Sequence, residues 1–371
     1  MAEQVGRVET TDVAAVWGVP LVAVHCQRCG TAHLVPEEAI PQRCPACLRG
    51  RVTLQPAYLR EEPPEQVLPY KVQGVGLRRT LERWSEGIWF RPGDLQADVL
   101  ARRARRTLVP LWLVDGRVEG AWRADVGFDY QVVSSQDRYR EGAGWRSQKV
   151  EEMRVRWEPR VGRLERRYEN VAAPAPDDHR RLMARLGDFD MGERVAYSPQ
   201  AVEGAAARIP SLEPQAAWPQ AEPAFVRTAE IDCRRAAGAD HIRDFRLDAV
   251  YADLNWSQLL VPAYVSWYEE GEEVWPVLVN GQTGRVSGVR RASARKARTT
   301  ALILGGIGVL LFLLGGLLAL LGALFPPLVA VGMVILIIGV VLGLAAPVPP
   351  IAVWRFNRRS AVGTESSEHS S

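Results

Sequence analysis

Four cysteines stand at a spacing suited to one kind of chemistry. Cys26 and Cys29 enclose two residues, and Cys44 and Cys47 repeat that spacing after a loop of fourteen. Each Cys-x-x-Cys forms a tight turn that aims two thiolates at one point, and two such knuckles complete a tetrahedral shell for Zn²⁺. Gly30, just past the first knuckle, suits the positive φ needed there, and Pro45 stiffens the second. A closed four-thiolate shell leaves no open position for a substrate, so the metal is expected to replace a core too small to fold alone. A dithiol redox role would need two accessible cysteines rather than four committed ones. His25 and His33 lie beside the first knuckle, but four thiolates saturate the ion, and both are expected to be bystanders. The fifth cysteine, Cys233, falls in a polar helix-like stretch and is expected to pack there.

The elements that position these cysteines are short strands, over 21–25 before the first knuckle and 51–54 after the second. Residues 21–55 thereby resemble a zinc ribbon. Such ribbons often bind nucleic acid, yet the loop between the knuckles carries Glu37 and Glu38 and no basic-aromatic interleaving, which argues against a phosphate-tracking surface. The 46 basic residues are almost all arginine, spread along the chain, and the net charge is only +3. Nucleic acid is therefore not an expected partner. No secretory signal is visible in the first twenty residues, which include Glu3 and Glu9, so the thiolates are expected on the reducing, cytoplasmic side.

Other chemistry is sparse. The chain lacks HExxH, GxSxG and GxxxxGK[ST]. GAGW at 142–145 is a lone glycine-containing loop. His179 follows Asp177 and Asp178 at a helix start, where capping is the expected role. His241 stands at a strand entry without a visible partner. No acid, base or nucleophile emerges, no small-molecule substrate is implied, and the chain is expected not to be an enzyme.

The organisation expected around the ribbon is an N-terminal segment 1–20, a Pro- and Glu-rich linker 56–66, and an α+β body over 67–288. Within the body, helices are predicted over 75–87, from an Asp94 cap through Arg105, over 176–186 and over 219–237, with a strand over 241–256. Two hairpins of similar sequence are predicted. One runs from Leu108 through a turn at Asp115-Gly116 to Trp122 and Gly127, and the other from Leu260 through a turn at Gly271 to Val279. Further β segments are predicted over 130–134 and 153–157. The tryptophans, eleven of twelve of which precede residue 300, are expected as core fillers.

Three short motifs carry a resemblance: VPLW at Val109 to Trp112, LLVPAY at Leu259 to Tyr264, and NGQTG at Asn280 to Gly284. With the four-cysteine ribbon and a pair of apolar helices they make the chain resemble a bacterial family of zinc-ribbon, primosomal-helicase-like membrane proteins over nearly its whole length. The helicase label does not carry over, because no nucleotide-binding loop is present. The NGQTG hairpin is also weakly similar to the closing strands of PepSY-type domains. Physically, Asn280-Gly281 and Thr283-Gly284 read as turn formers.

Residues 301–325 and 328–348 are uninterrupted apolar runs. At about 1.5 Å per residue, either is long enough to cross a hydrocarbon core of about 30 Å. Pro326-Pro327 between them forces a transmembrane hairpin. Arg285, Arg290, Arg291, Arg295, Lys296 and Arg298 precede it, the last five within a basic juxtamembrane segment 289–300, and Arg355, Arg358 and Arg359 follow. Positive flanks place both termini in the cytoplasm. Gly308, Gly315 and Gly322, and Gly332 and Gly339, recur every seven residues and lay smooth stripes for helix pairing. No charged group lies within either run, which favours an anchor over a channel or transporter. A polar, disordered tail is expected over 355–371. The function these features imply is a membrane-anchored, non-catalytic adaptor that binds a protein partner; the alternatives are a membrane-tethered nucleic-acid module and a PepSY-like regulator of a membrane enzyme.

Overall fold

The computed structural model describes residues 13–55, 62–140, 144–321 and 325–369, and the linker residues 56–61, Gly142 and Ala143 of the GAGW loop, and Gly322 lie outside them. The chain is α+β, built on one large sheet with two apolar helices near the C-terminus. A short helix α1 (Val13–Trp17) leads into β1 (Leu21–Cys26), β2 (Ala32–Pro36) and β3 (Val52–Leu54). Strand β4 (Gln66–Val67) precedes α2 (Val75–Ser85) and α3 (Ala97–Arg103). Two long strands follow, β5 (Arg105–Arg140) and β6 (Gly144–Pro174), and then α4 (His179–Leu186), β7 (Val195–Ala196), α5 (Pro199–Val202) and β8 (Ala206–Arg208). Helix α6 (Pro214–Ala236) leads to β9 (His241–Glu270), β10 (Glu273–Asn280) and β11 (Val286–Gly288). Helices α7 (Ala294–Leu321), α8 (Pro327–Ala345) and α9 (Val348–His369) complete the chain.

The cysteine-bearing strands are not separate from the body. Strand β2 pairs with β8 through His33↔Arg208 and Leu34↔Ala207, and β8 pairs in parallel with the start of β5. One sheet therefore runs from β3 through β1, β2, β8, β5 and β9 to β11. Because neighbouring side chains alternate faces, Val109, Leu111 and Leu113 join Leu259, Val261, α4's Leu186 and Leu48 on one side. Leu108, Leu260, Tyr264 and Tyr268 pack with α2 and α3 on the other.

The first predicted hairpin does not form. Strand β5 passes straight through Asp115-Gly116 as a bulge, with register shifts against both β6 and β9. Asp115 Oδ1 accepts a hydrogen bond from Asn170 N at 2.7 Å, and Gly116 leaves room for Leu254, whose Cδ2 would stand 2.7 Å from an added Cβ. With a partner strand on either edge, the chain gains more by continuing its ladders than by reversing. The second hairpin, β9 to β10, forms as predicted. The two similar segments are antiparallel neighbours: Val109 faces Val261, and each strand's proline faces the other's leucine, Leu108↔Pro262 and Pro110↔Leu260.

Helix boundaries also differ. Helix α3 begins at Ala97 rather than Asp94; Asp94 caps nothing and instead pairs with Arg103 at 2.9 Å. Helix α6 begins five residues before Pro219, because Ala217, Ala221, Phe225, Ala229 and Cys233 form a fully buried stripe at every fourth position. Burial of that stripe offsets the ladder bonds that Pro219 and Pro223 remove. The stretch expected as a disordered tail from 355 is instead helical to His369, because α9 is nucleated at its other end where Val353 packs into the core.

Helices α7 and α8 are long and apolar enough to cross a membrane. Gly308 and Gly315 meet Gly339 and Gly332 so closely that an added Cβ would come 2.9 Å from Gly339 O and 2.7 Å from Gly332 O. The pair returns to its origin: Asn357 Oδ1 accepts from Ala292 N at 2.8 Å, its Nδ2 donates to Ala292 O at 3.0 Å, and Ala297 and Val353 are both buried there.

Candidate metal centre and the cleft beside it

The two knuckles are built alike. In the first, Gly30 N donates to Cys26 O at 3.0 Å with Gly30 at φ 72; in the second, Leu48 N donates to Cys44 O at 2.9 Å with Leu48 at φ 57. Leu48 holds a left-handed backbone that favours glycine, and its burial against the sheet offsets that strain. Amides also point at sulfur: Ala46 N lies 3.3 Å from Cys44 Sγ, and Gly50 N lies 3.3 Å from Cys47 Sγ.

The four sulfurs of Cys26, Cys29, Cys44 and Cys47 all lie within 4.8 Å of one another. Cys26 to Cys47 and Cys29 to Cys44 are each 3.7 Å. A tetrahedral ion with metal–sulfur bonds of about 2.3 Å separates its sulfurs by about 3.8 Å, so the cluster has the dimensions of one four-thiolate site. Neither His25 nor His33 belongs to it.

Burial pushes the Cys26 and Cys44 thiols up. Burial acts the same way on Cys29, but the Thr31 hydroxyl, 3.2 Å away, its amide and the neighbouring thiols outweigh it and bring Cys29 down to about 7. A cation at the centre must therefore displace protons that burial favours on two of the four sulfurs.

The structure brings to this centre residues that the spacing does not reveal. An added Cβ on Gly50 would clash with Cys26 Sγ and come 2.9 Å from Arg28 Cβ. Its position three residues after Cys47 was the one available signal. His33, opposite Arg208 in the β2–β8 register, is buried with neither ring nitrogen hydrogen-bonded. Burial, then the Arg208 charge, holds its pKa down to about 3, so it is neutral. Arg208, 8% exposed, pairs with Asp178 at 2.7 Å. Asp178 therefore serves this ion pair, and its side chain makes no cap bond to α4. Burial likewise lowers the pKa of His179, against the opposing charge of Asp178.

Beside the centre lies a cleft of about 1030 Å³ between the knuckles and the sheet. Cys29, Cys47 and Trp112 line it with Glu62, Glu65, Asp177, Asp178 and Glu213 against only Arg181 and Arg208. Its wall is fixed: Trp112 Nε1 donates to Leu212 O at 2.8 Å, and Glu65 Oε2 accepts from Gln258 N at 2.5 Å.

Elsewhere, Cys233 is buried among the α6 packing residues. His241, expected without a partner, lies 2.8 Å from Asp129 Oδ1 through Nε2. The NGQTG segment is a turn, with Gly284 at φ 79, and also a hub. Asn280 is fully buried; its Nδ2 donates to Leu186 O at 3.1 Å and Asp188 O at 3.2 Å, and its Oδ1 accepts from the amides of Gln282 and Thr283, both at 2.9 Å.

Compared with protein-family models, curated proteins and solved structures, the chain matches none.

Proposed function

We propose that this chain is a membrane-anchored zinc-ribbon protein whose body, on the cytoplasmic side, acts as a non-catalytic adaptor for a protein partner. The observation that carries the reading is the joining of the metal centre, the acidic cleft and the returning α7–α9 segment to one continuous sheet. A cation with four thiolates is coordinatively saturated, so it braces the cleft wall rather than acting on a substrate. Zn²⁺ fits the all-sulfur donor set and the sulfur spacing. Helices α7 and α8 supply the anchor, and the Asn357–Ala292 bonds are consistent with both flanks lying on one side of the bilayer.

The cleft is the surface offered to a partner. Its five carboxylates against two arginines favour a basic protein segment and repel phosphate, which counts against the nucleic-acid alternative. The test is a photo-crosslinking residue at Glu213, on the cleft wall, in the full-length protein in cells. A discrete protein adduct that disappears when Glu62, Glu65 and Asp177 are changed together to Gln supports the adaptor reading. Absence of any protein adduct, or an adduct to nucleic acid, ends it.

A further inference from the structure

A second cavity, of about 600 Å³, lies where the soluble sheet meets the first apolar helix. The β9–β10 turn contributes Glu270 and Glu273, the approach to α7 contributes Arg291, and the first turns of α7 contribute Arg295, Arg298 and Leu302. Glu270 and Glu273 are directly opposed across the hairpin. Like charges in that position destabilise a strand pair unless a cation lies between them. Three arginines share the cavity, yet none of these five side chains forms an ion pair among the described residues. Glu269, one residue away, does have a partner, Arg43 at 3.0 Å.

The arginine side is preset for an anion. The Arg291 guanidinium stacks on Trp275 at 4.5 Å from the ring centre, and its Nε is buried without an acceptor. Beyond Thr299 and Thr300 the helix turns apolar, and Leu302 is 77% exposed. A ligand here thus meets a cationic rim, two opposed carboxylates and a greasy helix below them.

We infer that this cavity binds the headgroup of a phospholipid that ends in a primary ammonium, its phosphate on Arg291, Arg295 and Arg298 and its ammonium between Glu270 and Glu273. The inference rests on the reading of α7 and α8 as a membrane anchor. A primary ammonium donates charged hydrogen bonds to both carboxylates; a trimethylated one donates none, and a glycerol headgroup brings no positive charge.

The experiment exposes detergent-purified full-length protein to equimolar phosphatidylethanolamine, phosphatidylcholine and phosphatidylglycerol of matched chains, with retained lipid counted by native mass spectrometry. Phosphatidylethanolamine is expected to be retained about tenfold over the others, as one charge-assisted hydrogen bond allows. Combined Glu270→Gln and Glu273→Gln should lower it to the phosphatidylcholine level, and combined Arg291→Gln, Arg295→Gln and Arg298→Gln should reduce all three, with unchanged zinc content reporting an intact fold. Equal retention of the three lipids, a preference for phosphatidylglycerol, or a preference indifferent to the two glutamates overturns the site. Alkaline carbonate extraction separates the two failures. Release of the wild-type protein from membranes ends the anchor reading and this site with it, whereas a retained protein without headgroup preference ends only the site.

Discussion

At the metal centre, the residue that decides whether four thiols can meet is one that donates no ligand. Gly50 sits so close to Cys26 Sγ that Gly50→Ala should push one sulfur out of the shell. Bound zinc per chain, measured by atomic emission, is expected to fall well below one, whereas Gly30→Ala, with open space around it, should keep its zinc and lose about 1 kcal/mol to the left-handed backbone. His33 sets a different response. Its folded pKa of about 3 lies below the ordinary 6.5, so the folded state resists a proton that the unfolded state accepts. Stability is complete above about pH 6.5 and is lost as pH falls from there toward about 3, by about 1.4 kcal/mol per unit. Denaturant titrations at pH 7.0 and 5.5 should show this loss in the wild type and a smaller one in His33→Gln; equal losses would remove His33 as the cause.

At the scale of elements, two close packings are exposed to test. Gly315 has Gly332 O 2.7 Å from where a Cβ would be, while its neighbour Gly316 has nothing within 4 Å. Gly315→Leu should therefore separate α7 from α8 and lower the melting temperature in detergent, and Gly316→Leu should leave it unchanged. Asn280 is fully buried and makes four hydrogen bonds, two to Leu186 O and Asp188 O at the end of α4 and two from the amides of its own turn. Asn280→Ala strands two carbonyls and two amides, and a loss of about 3 kcal/mol or more in chemical unfolding is expected.

For the whole molecule, the continuous sheet makes metal and anchor separable in one direction only. Chelation should expose residues 21–54 to protease while α7–α9 stay intact, because β2 pairs with the body sheet through only two residues of β8. Full protection of 21–54 after complete metal removal would show that the sheet, not the ion, holds those strands. Reporter fusions should place both termini on the cytoplasmic side; an external signal from either end would break the proposed topology.

What the sequence alone determines here is what depends on near neighbours or bulk composition. Two Cys-x-x-Cys turns and the meeting of their four thiols follow from spacing, the two long apolar helices from run length, and the facing glycines from a seven-residue repeat. The β9–β10 hairpin likewise follows from turn residues that act within a few positions. Tertiary structure decided whatever depends on a distant partner. Asp115-Gly116 has the composition of a turn, yet strands β6 and β9, brought in from 144–174 and 241–270, hold it extended as a bulge. Leu48 copies the backbone of Gly30 only because the sheet gives its side chain a place to be buried. The same holds for His33 against Arg208, and for Glu270 against Glu273 beside three arginines. A lone residue has no environment until the fold supplies one, and its charge, strain and use are properties of that environment.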